Sequence, residues 1–316
     1  MKPLLFAMPG NEDFTGRLIA AIGAELGSLE TRSFPDGETY VRLASDVEGQ
    51  SVVLVCTLDR PNDKTLPLLF TAHAARDLGA SRVGLVAPYL AYMRQDKRFR
   101  PGEGITSSGF GRLLSSSVDW IVTVDPHLHR RTFMSEIYSI PVGVCHAAPK
   151  LSAWIREHVP NALVVGPDVE SEQWVSAVAA DAGVPWVTLE KTRRGDRDVE
   201  IKFPDLERWR SKTPVLVDDI ISSGRTMEVA LMHMGELGFV ASVCLGVHGL
   251  FAEDAFERLV AAGASSIVCT NTVPHKASAI DVSNIVATVT SSLLQYDGSR
   301  EERPYDDRSL PGDRKP

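Results

Sequence analysis

The chain has 316 residues, of which 44% are hydrophobic and 23% charged, enough for one large or two ordinary domains with buried cores. Its net charge of −8 gives no basic footprint for nucleic acid. Apolar runs are too short to span a membrane and no signal peptide is apparent, so we expect a cytoplasmic protein with no membrane partner. The cysteines lack metal or redox spacing and lie in apolar runs, which predicts buried, reduced thiols (Cys56, Cys145, Cys244, Cys269).

Short apolar runs alternate with stretches of helical periodicity along the chain, which predicts parallel sheets joined by crossover helices. The predicted strands are 2–9, 51–57, 82–87, 120–124, 162–165, 186–190, 215–217, 243–247 and 266–270. The predicted helices are 11–26, 66–78, 104–114, 151–158, 172–182, 227–237 and 252–262. A loop or hairpin is predicted over 33–42, where Pro-Asp-Gly marks a turn.

The order of elements in the first half recurs in the second. In each half an apolar strand runs into a polar loop, a threonine and a helix that ends in Leu-Gly, at Gly79 and at Gly238. We interpret this as two copies of one α/β domain, with chance recurrence of a common unit as the alternative. The predicted domains are 1–142 and 143–296, and the polar, proline-bearing tail 297–316 is expected to be disordered.

The most informative stretch is 215–226, where two acids and a small-residue loop follow an apolar strand. Asp218 and Asp219 stand at the predicted carboxyl end of the strand, where open α/β sheets bind ligands. The loop that opens the next helix offers N–H groups and the positive end of the helix dipole to a phosphate. Its members are Ser222, Ser223, Gly224, Arg225 and Thr226. The alternative is an ordinary strand–turn–helix in which the aspartates only cap.

Two further polar stretches lie in the first half. Around 33–38, Phe34 offers a ring on which a purine can stack, and Asp36 and Glu38 offer acceptors for its amine or for ribose hydroxyls. At 92–96, Arg94 is suited to bridging phosphate oxygens and Gln95 to pairing with a base edge. Taken singly, the first pattern is more often a plain turn, and the second is as often a solvated charge run.

Three more strand ends carry polar residues. His127 follows the strand 120–124, and Asp168 follows the strand 162–165; alone, such residues are more often a surface histidine and a helix cap. Lys191 and Arg193 follow the strand 186–190 in a basic segment that we predict to be a flexible loop. A cationic pair on such a loop is suited to neutralising a transferring diphosphoryl group, although a basic loop is equally often left in solvent.

In this order, and each at a strand end, these stretches resemble the ribose-phosphate diphosphokinase (PRPP synthetase) family over about residues 1–290. The family patterns are Phe-x-Asp-Gly-Glu, Tyr-x-Arg-Gln-Asp, Asp-Leu-His, Ser-Pro-Asp, Asp-Lys-x-Arg and Asp-Asp-Ile-Ile-Asp-Thr-Gly-Gly-Thr. The chain departs from them at Ser222, Ser223 and Arg225, and at 169–172, where a glycine pair is usual. These departures indicate a divergent branch.

The resemblance implies an α/β fold of two tandem, similar domains of the type I phosphoribosyltransferase fold, each with a mainly parallel sheet flanked by helices. It implies ATP and ribose 5-phosphate as substrates, Mg²⁺ as cofactor, and a homo-oligomer of at least two subunits. The ATP site would comprise Phe34, Asp36, Gly37, Glu38, Arg94, Gln95 and His127. The ribose 5-phosphate site would comprise Arg193, Asp218, Asp219 and the loop 222–226. Lys191 and Arg193 would be catalytic, and His127 and Asp168 would hold the metal.

Two other functions stay open from the sequence. One is a phosphoribosyltransferase that consumes 5-phosphoribosyl 1-diphosphate, which would need no ATP loop. The other is a non-catalytic regulatory homologue, from which we would expect some of the acids or loop cations to be missing.

Overall fold

The structure is a computed structural model that describes residues 2–128, 131–167, 171–194, 198–202 and 206–296. The chain forms two compact units. Of the described residues, the first unit contains those up to Cys145 together with 283–296, and the second contains those within His146–Val282. The predicted tail 297–316 lies outside the described residues.

The first unit is built on a six-stranded sheet in which every neighbouring pair is parallel. Its strands are β1 (Leu4–Ala7), β2 (Glu25–Leu26), β5 (Ser51–Val55), β6 (Arg82–Ala87), β7 (Trp120–Val124) and β8 (Val142–Cys145), in the order β2-β1-β5-β6-β7-β8. A separate antiparallel hairpin pairs β3 (Leu29–Ser33) with β4 (Thr39–Leu43). The helices of this unit are α1 (Glu12–Ile22), α2 (Pro61–Asp77), α3 (Thr106–Ser115) and α8 (Ser283–Gln295).

The second unit repeats this plan. Its parallel sheet contains β9 (Ala162–Gly166), β10 (Trp186–Thr188), β13 (Thr213–Ile221), β14 (Ser242–Gly249), β15 (Ala264–Thr270) and β16 (Ser278–Ile280), in the order β10-β9-β13-β14-β15-β16. Its hairpin pairs β11 (Glu190–Arg194) with β12 (Asp198–Lys202). Its helices are α4 (Ala148–His158), α5 (Glu172–Ala182), α6 (Arg225–Glu236) and α7 (Ala255–Ala261).

The two sheets have the same order strand by strand, with β1 corresponding to β9, β5 to β13 and β8 to β16. Each unit also carries its hairpin at the same place in the chain order, between its second and third sheet strands. The prediction of two similar, mainly parallel α/β domains is therefore confirmed. The central strands β5, β6 and β7 are nearly continuous buried runs, which is the pattern of parallel strands that helices cover on both faces.

The helix after each sheet belongs to the other unit. Helix α4 follows β8 but packs against α5 of the second unit, whereas α8 follows β16 and packs against α1, β7 and β8 of the first unit. Val286 and Leu293 of α8 are buried, and Gly143 leaves room for Val289, since a Cβ there would lie 2.4 Å from its Cγ1. The predicted second domain, 143–296, had included this helix, whose apolar face instead completes the first core.

Several element boundaries differ from the prediction. Helix α1 ends at Ile22 rather than at residue 26, because Gly23 adopts a left-handed conformation (φ 74°) and the chain then enters β2. Helix α2 begins five residues earlier than expected, with Pro61 at its first position. The segment at 190–194 is a strand of a hairpin and not an irregular loop. The short strands β8, β12 and β16 and the helix α8 were not predicted.

All four cysteines are buried and free of disulfides, as predicted. Burial raises the pKa of each thiol from 9.0 to about 12. Among the described residues, no helix combines the length and the apolar character needed to cross a bilayer.

Candidate functional site

The acidic pair of the second unit lies within strand β13 rather than after it. Val215, Leu216 and Val217 are buried, and the ladder to β14 continues past the acids as far as Ile221. Asp218 and Asp219 are both half-buried, and the Asp219 N–H donates a hydrogen bond of 3.0 Å to Asp218 Oδ1. Two carboxylates thus stand near the carboxyl end of a central strand, where parallel sheets bind ligands.

A turn of three residues, Ser222–Gly224, connects β13 to helix α6. Gly224 has a φ of 66°, a conformation that side chains seldom adopt, and its carbonyl accepts the first helical hydrogen bond from the Glu228 N–H at 2.8 Å. Arg225 and Thr226, predicted to lie in the loop, are instead the first two residues of the helix. The helix therefore starts closer to the acidic pair than the sequence indicated.

The carbonyl groups of Ile221, Ser222 and Ser223 are all held by the part of the chain that follows β14. The N–H groups of Leu250 and Phe251 donate to the Ile221 carbonyl, both at 3.0 Å, and the Ala252 N–H donates to the Ser222 carbonyl at 3.0 Å. Arg258 Nη2 donates to the Ser223 carbonyl at 2.7 Å.

The N–H groups of the same turn, unlike these carbonyl groups, have no hydrogen-bond partner among the described residues. Within the part of the chain that the structure describes, those of Ser222, Ser223, Gly224 and Arg225 form no hydrogen bond. Ser223 and Arg225 are exposed, and Ser222 and Gly224 are half-buried. An array of N–H groups at the positive end of a 12-residue helix is the arrangement that binds phosphate.

In the first unit, the predicted 33–38 segment is the tip of the β3–β4 hairpin. The Phe34 N–H donates to the Glu38 carbonyl at 2.7 Å, and the Glu38 N–H donates to Asp36 Oδ1 at 3.2 Å, while Gly37 supplies the positive φ of 94° that the turn requires. The Phe34 ring is 40% exposed, and the Arg32 guanidinium lies 4.7 Å from its centroid. This tip presents an exposed ring and two exposed carboxylates.

The loop that follows β6 carries Arg94 and Gln95. Tyr92, with a φ of 60°, packs its ring 4.6 Å from that of Phe110 and fixes the start of this segment. The Gln95 carbonyl accepts a hydrogen bond of 3.3 Å from the Ser107 N–H, at the start of α3. Arg94 itself is exposed, so its guanidinium is accessible to an anionic ligand.

His127 follows β7 and is half-buried. Asp125, two residues earlier, has a φ of 34° and donates its N–H to the Cys145 carbonyl at 2.9 Å, which fixes the chain at this strand end. Asp168, the other predicted metal ligand, lies outside the described residues. Among the residues that were described, no group of three or more His, Cys, Asp or Glu side chains is assembled for a metal, so the metal site stays a prediction.

Lys191 and Arg193 lie two residues apart in strand β11, paired with Ile201 and Val199 of β12. A hairpin was not expected at this position. Its place in the second unit corresponds to that of the β3–β4 hairpin in the first, so each unit projects a hairpin with predicted ligand-binding residues.

Sequence reasoning missed the residues that hold the turn, namely the 250–252 segment and Arg258. One sequence signal pointed to an ion pair of Arg258. Asp254 and Arg258 are four residues apart at the start of a predicted helix, and they pair with each other in the structure. Nothing in the local sequence showed that Arg258 reaches Ser223, which is 35 residues earlier.

Two family models match the chain. Residues 3–117 match the N-terminal domain of ribose phosphate pyrophosphokinase, and residues 135–283 match the phosphoribosyl transferase domain. The ribose-phosphate pyrophosphokinase of Methanopyrus kandleri is 34% identical over 280 residues, which are 88% of this chain and 94% of the relative. The chain belongs to the ribose-phosphate pyrophosphokinase family. The ribose-phosphate pyrophosphokinase of Sulfolobus acidocaldarius is 32% identical over 279 residues, which are 86% of this chain and 94% of the relative.

A solved structure agrees with the family membership. The crystal structure of phosphoribosylpyrophosphate synthetase from Mycobacterium smegmatis superimposes with a TM-score of 0.81 at 25% identity, and the match covers 93% of this chain and all of that one. The predicted enzyme class, a ribose-phosphate diphosphokinase, and the predicted fold class are confirmed. The roles of individual residues stay predictions.

Proposed function

We propose that the chain transfers the diphosphoryl group of ATP to the 1-hydroxyl of ribose 5-phosphate, giving 5-phosphoribosyl 1-diphosphate and AMP. Beside the family membership, one observation carries the proposal. The carbonyl groups of Ile221 to Ser223 accept hydrogen bonds from the chain after β14, whereas the N–H groups of Ser222 to Gly224 have no hydrogen-bond partner among the described residues and lie next to two carboxylates. A sugar phosphate has the matching groups, an anion at one end and vicinal hydroxyls at the other.

In this proposal the 5-phosphate of ribose 5-phosphate is bound by the N–H groups of the turn and by the hydroxyls of Ser222, Ser223 and Thr226. Arg225, exposed at the first position of α6, adds a positive charge that offsets the departure from the usual family loop. Asp218 and Asp219 accept hydrogen bonds from the 2- and 3-hydroxyls of the sugar.

ATP is assigned to the first unit. The exposed ring of Phe34 stacks on the purine, Asp36 and Glu38 accept hydrogen bonds from its amine or ribose, and Gly37 permits the tip conformation. Arg94 binds phosphate oxygens, and Gln95 contacts the base edge. This assignment follows the family resemblance, and exposure of the tip and of Arg94 supports it.

Mg²⁺ would be held by His127 and Asp168, with Asp218 and Asp219 as further oxygen donors near the sugar. The half-buried carboxylates of β13 fit a cation that keeps part of its water shell and takes the rest of its ligands from carboxylates and phosphates. When bound, the ion supplies charge neutralisation for the phosphate oxygens.

The reaction itself is an in-line displacement. The anomeric hydroxyl gives up its proton to solvent as its oxygen forms a bond to the β-phosphorus of ATP, the bond from that phosphorus to the α–β bridging oxygen breaks, and AMP leaves. Lys191 and Arg193 donate hydrogen bonds to the transferring group and neutralise its developing charge. The protein otherwise contributes positioning, as in other phosphoryl transfers.

The test is an assay of the purified chain with ATP, Mg²⁺ and ribose 5-phosphate, in which AMP release and product mass are measured. We expect equimolar AMP and 5-phosphoribosyl 1-diphosphate. A phosphoribosyltransferase would require the diphosphate and a base instead, and a regulatory homologue would form no product.

Asp219→Asn, which keeps the shape of the side chain but loses its charge, is expected to lower kcat/KM for ribose 5-phosphate by roughly 10-fold or more.

We further propose that the protein is cytoplasmic, which the four free, buried thiols support. We also propose that it forms a homo-oligomer of at least two subunits, which the family resemblance supports. Light scattering after size-exclusion chromatography measures the subunit number, and a monomer at micromolar concentration would contradict this part of the proposal.

A further inference from the structure

The turn Ser222–Gly224 is held through three consecutive carbonyl groups. The first two, of Ile221 and Ser222, accept hydrogen bonds from backbone N–H groups of the 250–252 segment. The third, of Ser223, accepts its hydrogen bond from a side chain, the guanidinium of Arg258 on α7. A backbone donor is present whatever the side chain, so Arg258 is the one point in this set that a substitution can remove.

The carbonyl contacts determine where the N–H groups point. In a trans peptide the C=O and the N–H of the same unit point in opposite directions. Holding the carbonyls of Ile221, Ser222 and Ser223 on the α7 side therefore directs the N–H groups of the next three residues, Ser222 to Gly224, to the other side. Arg258 controls the last of these, the Gly224 N–H, at a residue whose φ is 66° and whose backbone is intrinsically permissive.

Arg258 is itself fixed by two carboxylates. Its Nε lies 3.2 Å from Glu228 Oε2, in the first turn of α6, and its Nη1 pairs with Asp254, the residue that precedes α7. The Arg258 and Glu228 side chains are only 22% and 23% exposed. With two negative partners and one positive charge, the cluster carries no surplus positive charge for a phosphate. The guanidinium instead holds the backbone in place through its hydrogen bond to the Ser223 carbonyl.

We propose that Arg258 is a positioning residue for the reaction: it orients the Gly224 N–H toward the 5-phosphate of ribose 5-phosphate by holding the Ser223 carbonyl. This inference rests on the proposed function, because it assumes that the turn binds that phosphate. It assigns a role to a side chain that touches neither substrate.

The test compares steady-state kinetics of Arg258→Ala with those of the unsubstituted chain. We expect KM for ribose 5-phosphate to rise about 10-fold, the loss expected for one well-aligned hydrogen bond to a charged ligand, while kcat and KM for ATP change less than about threefold. Arg258→Lys keeps the positive charge but carries it on one nitrogen in place of the three that contact three acceptors, so its KM should fall between those of the unsubstituted chain and Arg258→Ala. A general loss of folding would instead lower kcat in proportion to the folded fraction.

Arg156→Ala is the matched control. Arg156, on α4 of the same unit, also donates to a backbone carbonyl and pairs with a carboxylate, both of Asp181, but it holds no part of the turn. We expect its kinetic constants to be unchanged. If Arg258→Ala does not fold, Glu228→Gln removes one of the two charges that fix the guanidinium and should raise KM for ribose 5-phosphate about threefold.

An unchanged KM for ribose 5-phosphate in Arg258→Ala, or an equal rise in Arg156→Ala, would overturn the inference. If Arg258→Ala does not fold, an unchanged KM in Glu228→Gln would do so. Failure of the unsubstituted chain to form AMP and product would overturn the proposed function instead, so the two failures are distinguishable.

Discussion

The two units differ at one equivalent turn, which connects the third sheet strand of each unit to the following helix. In the first unit, α2 begins with Pro61, which has no N–H, and Lys64 donates to the Thr57 carbonyl at 3.0 Å and pairs with Asp59. In the second unit, α6 begins after Gly224, and the fourth helical residue is Glu228. Among the residues that the structure describes, the N–H groups of Ser222 to Arg225 form no hydrogen bond. In the first unit, a lysine of the following helix donates to a carbonyl group of the turn. In the second unit, an arginine of α7 does so.

The two units also differ in the length of the segment that follows the next strand, β6 in the first unit and β14 in the second. After β6 the first unit has the long segment 88–105, which carries Arg94 and Gln95. After β14 the second unit has only 250–254, whose N–H groups hold the turn. One fold thus yields a predicted nucleotide site where this loop is long and a predicted phosphate site where it is short enough to brace its neighbour. Function here depends on loops at strand ends, as is general for α/β sheets.

The largest effect that would sharpen this comparison is expected at the second hairpin. Lys191→Ala should lower turnover by roughly 10²-fold or more while ATP binding stays measurable, because it removes a charge needed mainly in the transition state. Turnover and ATP affinity are measured separately. Lys212→Ala is the control, because Lys212 directly precedes β13 and so lies at the amino end of this strand, whereas the predicted site lies near its carboxyl end. Unchanged turnover in Lys191→Ala would remove the hairpin from the mechanism.

A smaller effect is expected at the helix start of the second unit. Gly224→Ala should raise KM for ribose 5-phosphate about 10-fold, because a left-handed conformation costs a side chain about 1–2 kcal/mol and the new Cβ would lie 3.4 Å from Leu259. Gly235→Ala, in the same helix with nothing within 4 Å of its Cβ, should instead stabilise the chain slightly and leave KM unchanged. Equal KM values in the two variants would contradict the role of the turn.

The corresponding turn of the first unit should be kinetically silent. Lys64→Ala is expected to reduce the free energy of unfolding by about 1 kcal/mol, since it leaves the Thr57 carbonyl without this hydrogen bond, but to change neither KM nor kcat. Urea unfolding and steady-state kinetics measure the two quantities. A rise in KM for either substrate would show that the first turn also binds a ligand and would remove the contrast between the units.

The smallest expected effect concerns the thiols, of which each unit has two. Burial raises the pKa of the Cys56 thiol to about 12, from 9.0 when it is exposed by unfolding. The unfolded chain therefore loses this proton first, and stability present below pH 9 is lost as the pH rises toward 12. Between pH 9 and pH 10, ionisation of this thiol in the unfolded chain should lower the free energy of unfolding by about 1 kcal/mol.

Urea unfolding at these two pH values checks the thiol prediction. The decline in the free energy of unfolding should be smaller by about 1 kcal/mol in Cys56→Ala than in the unsubstituted chain. An identical decline in both proteins would show that the Cys56 thiol ionises equally readily in the folded state.

Much of the fold followed from local sequence. Strands such as Arg82–Ala87 and Trp120–Val124 were predicted with correct bounds because continuous apolar runs between polar turns leave few alternatives. Asp218 and Asp219 lie near the carboxyl end of β13, and Arg94 and His127 lie in the segments that follow β6 and β7. The errors lie where local signals were weak, as at β16, or where pairing decided the outcome, as at β11.

The sequence by itself determined the alternation of strands and helices, the repetition of the plan and the residues suited to bind phosphate, because periodicity and residue chemistry are local properties. Only the tertiary structure decided that α8 completes the first core and that Arg258 and the 250–252 segment hold the turn at 222–224. These contacts join residues far apart in the chain, and their formation depends on how parallel strands bring their loops to one edge of the sheet.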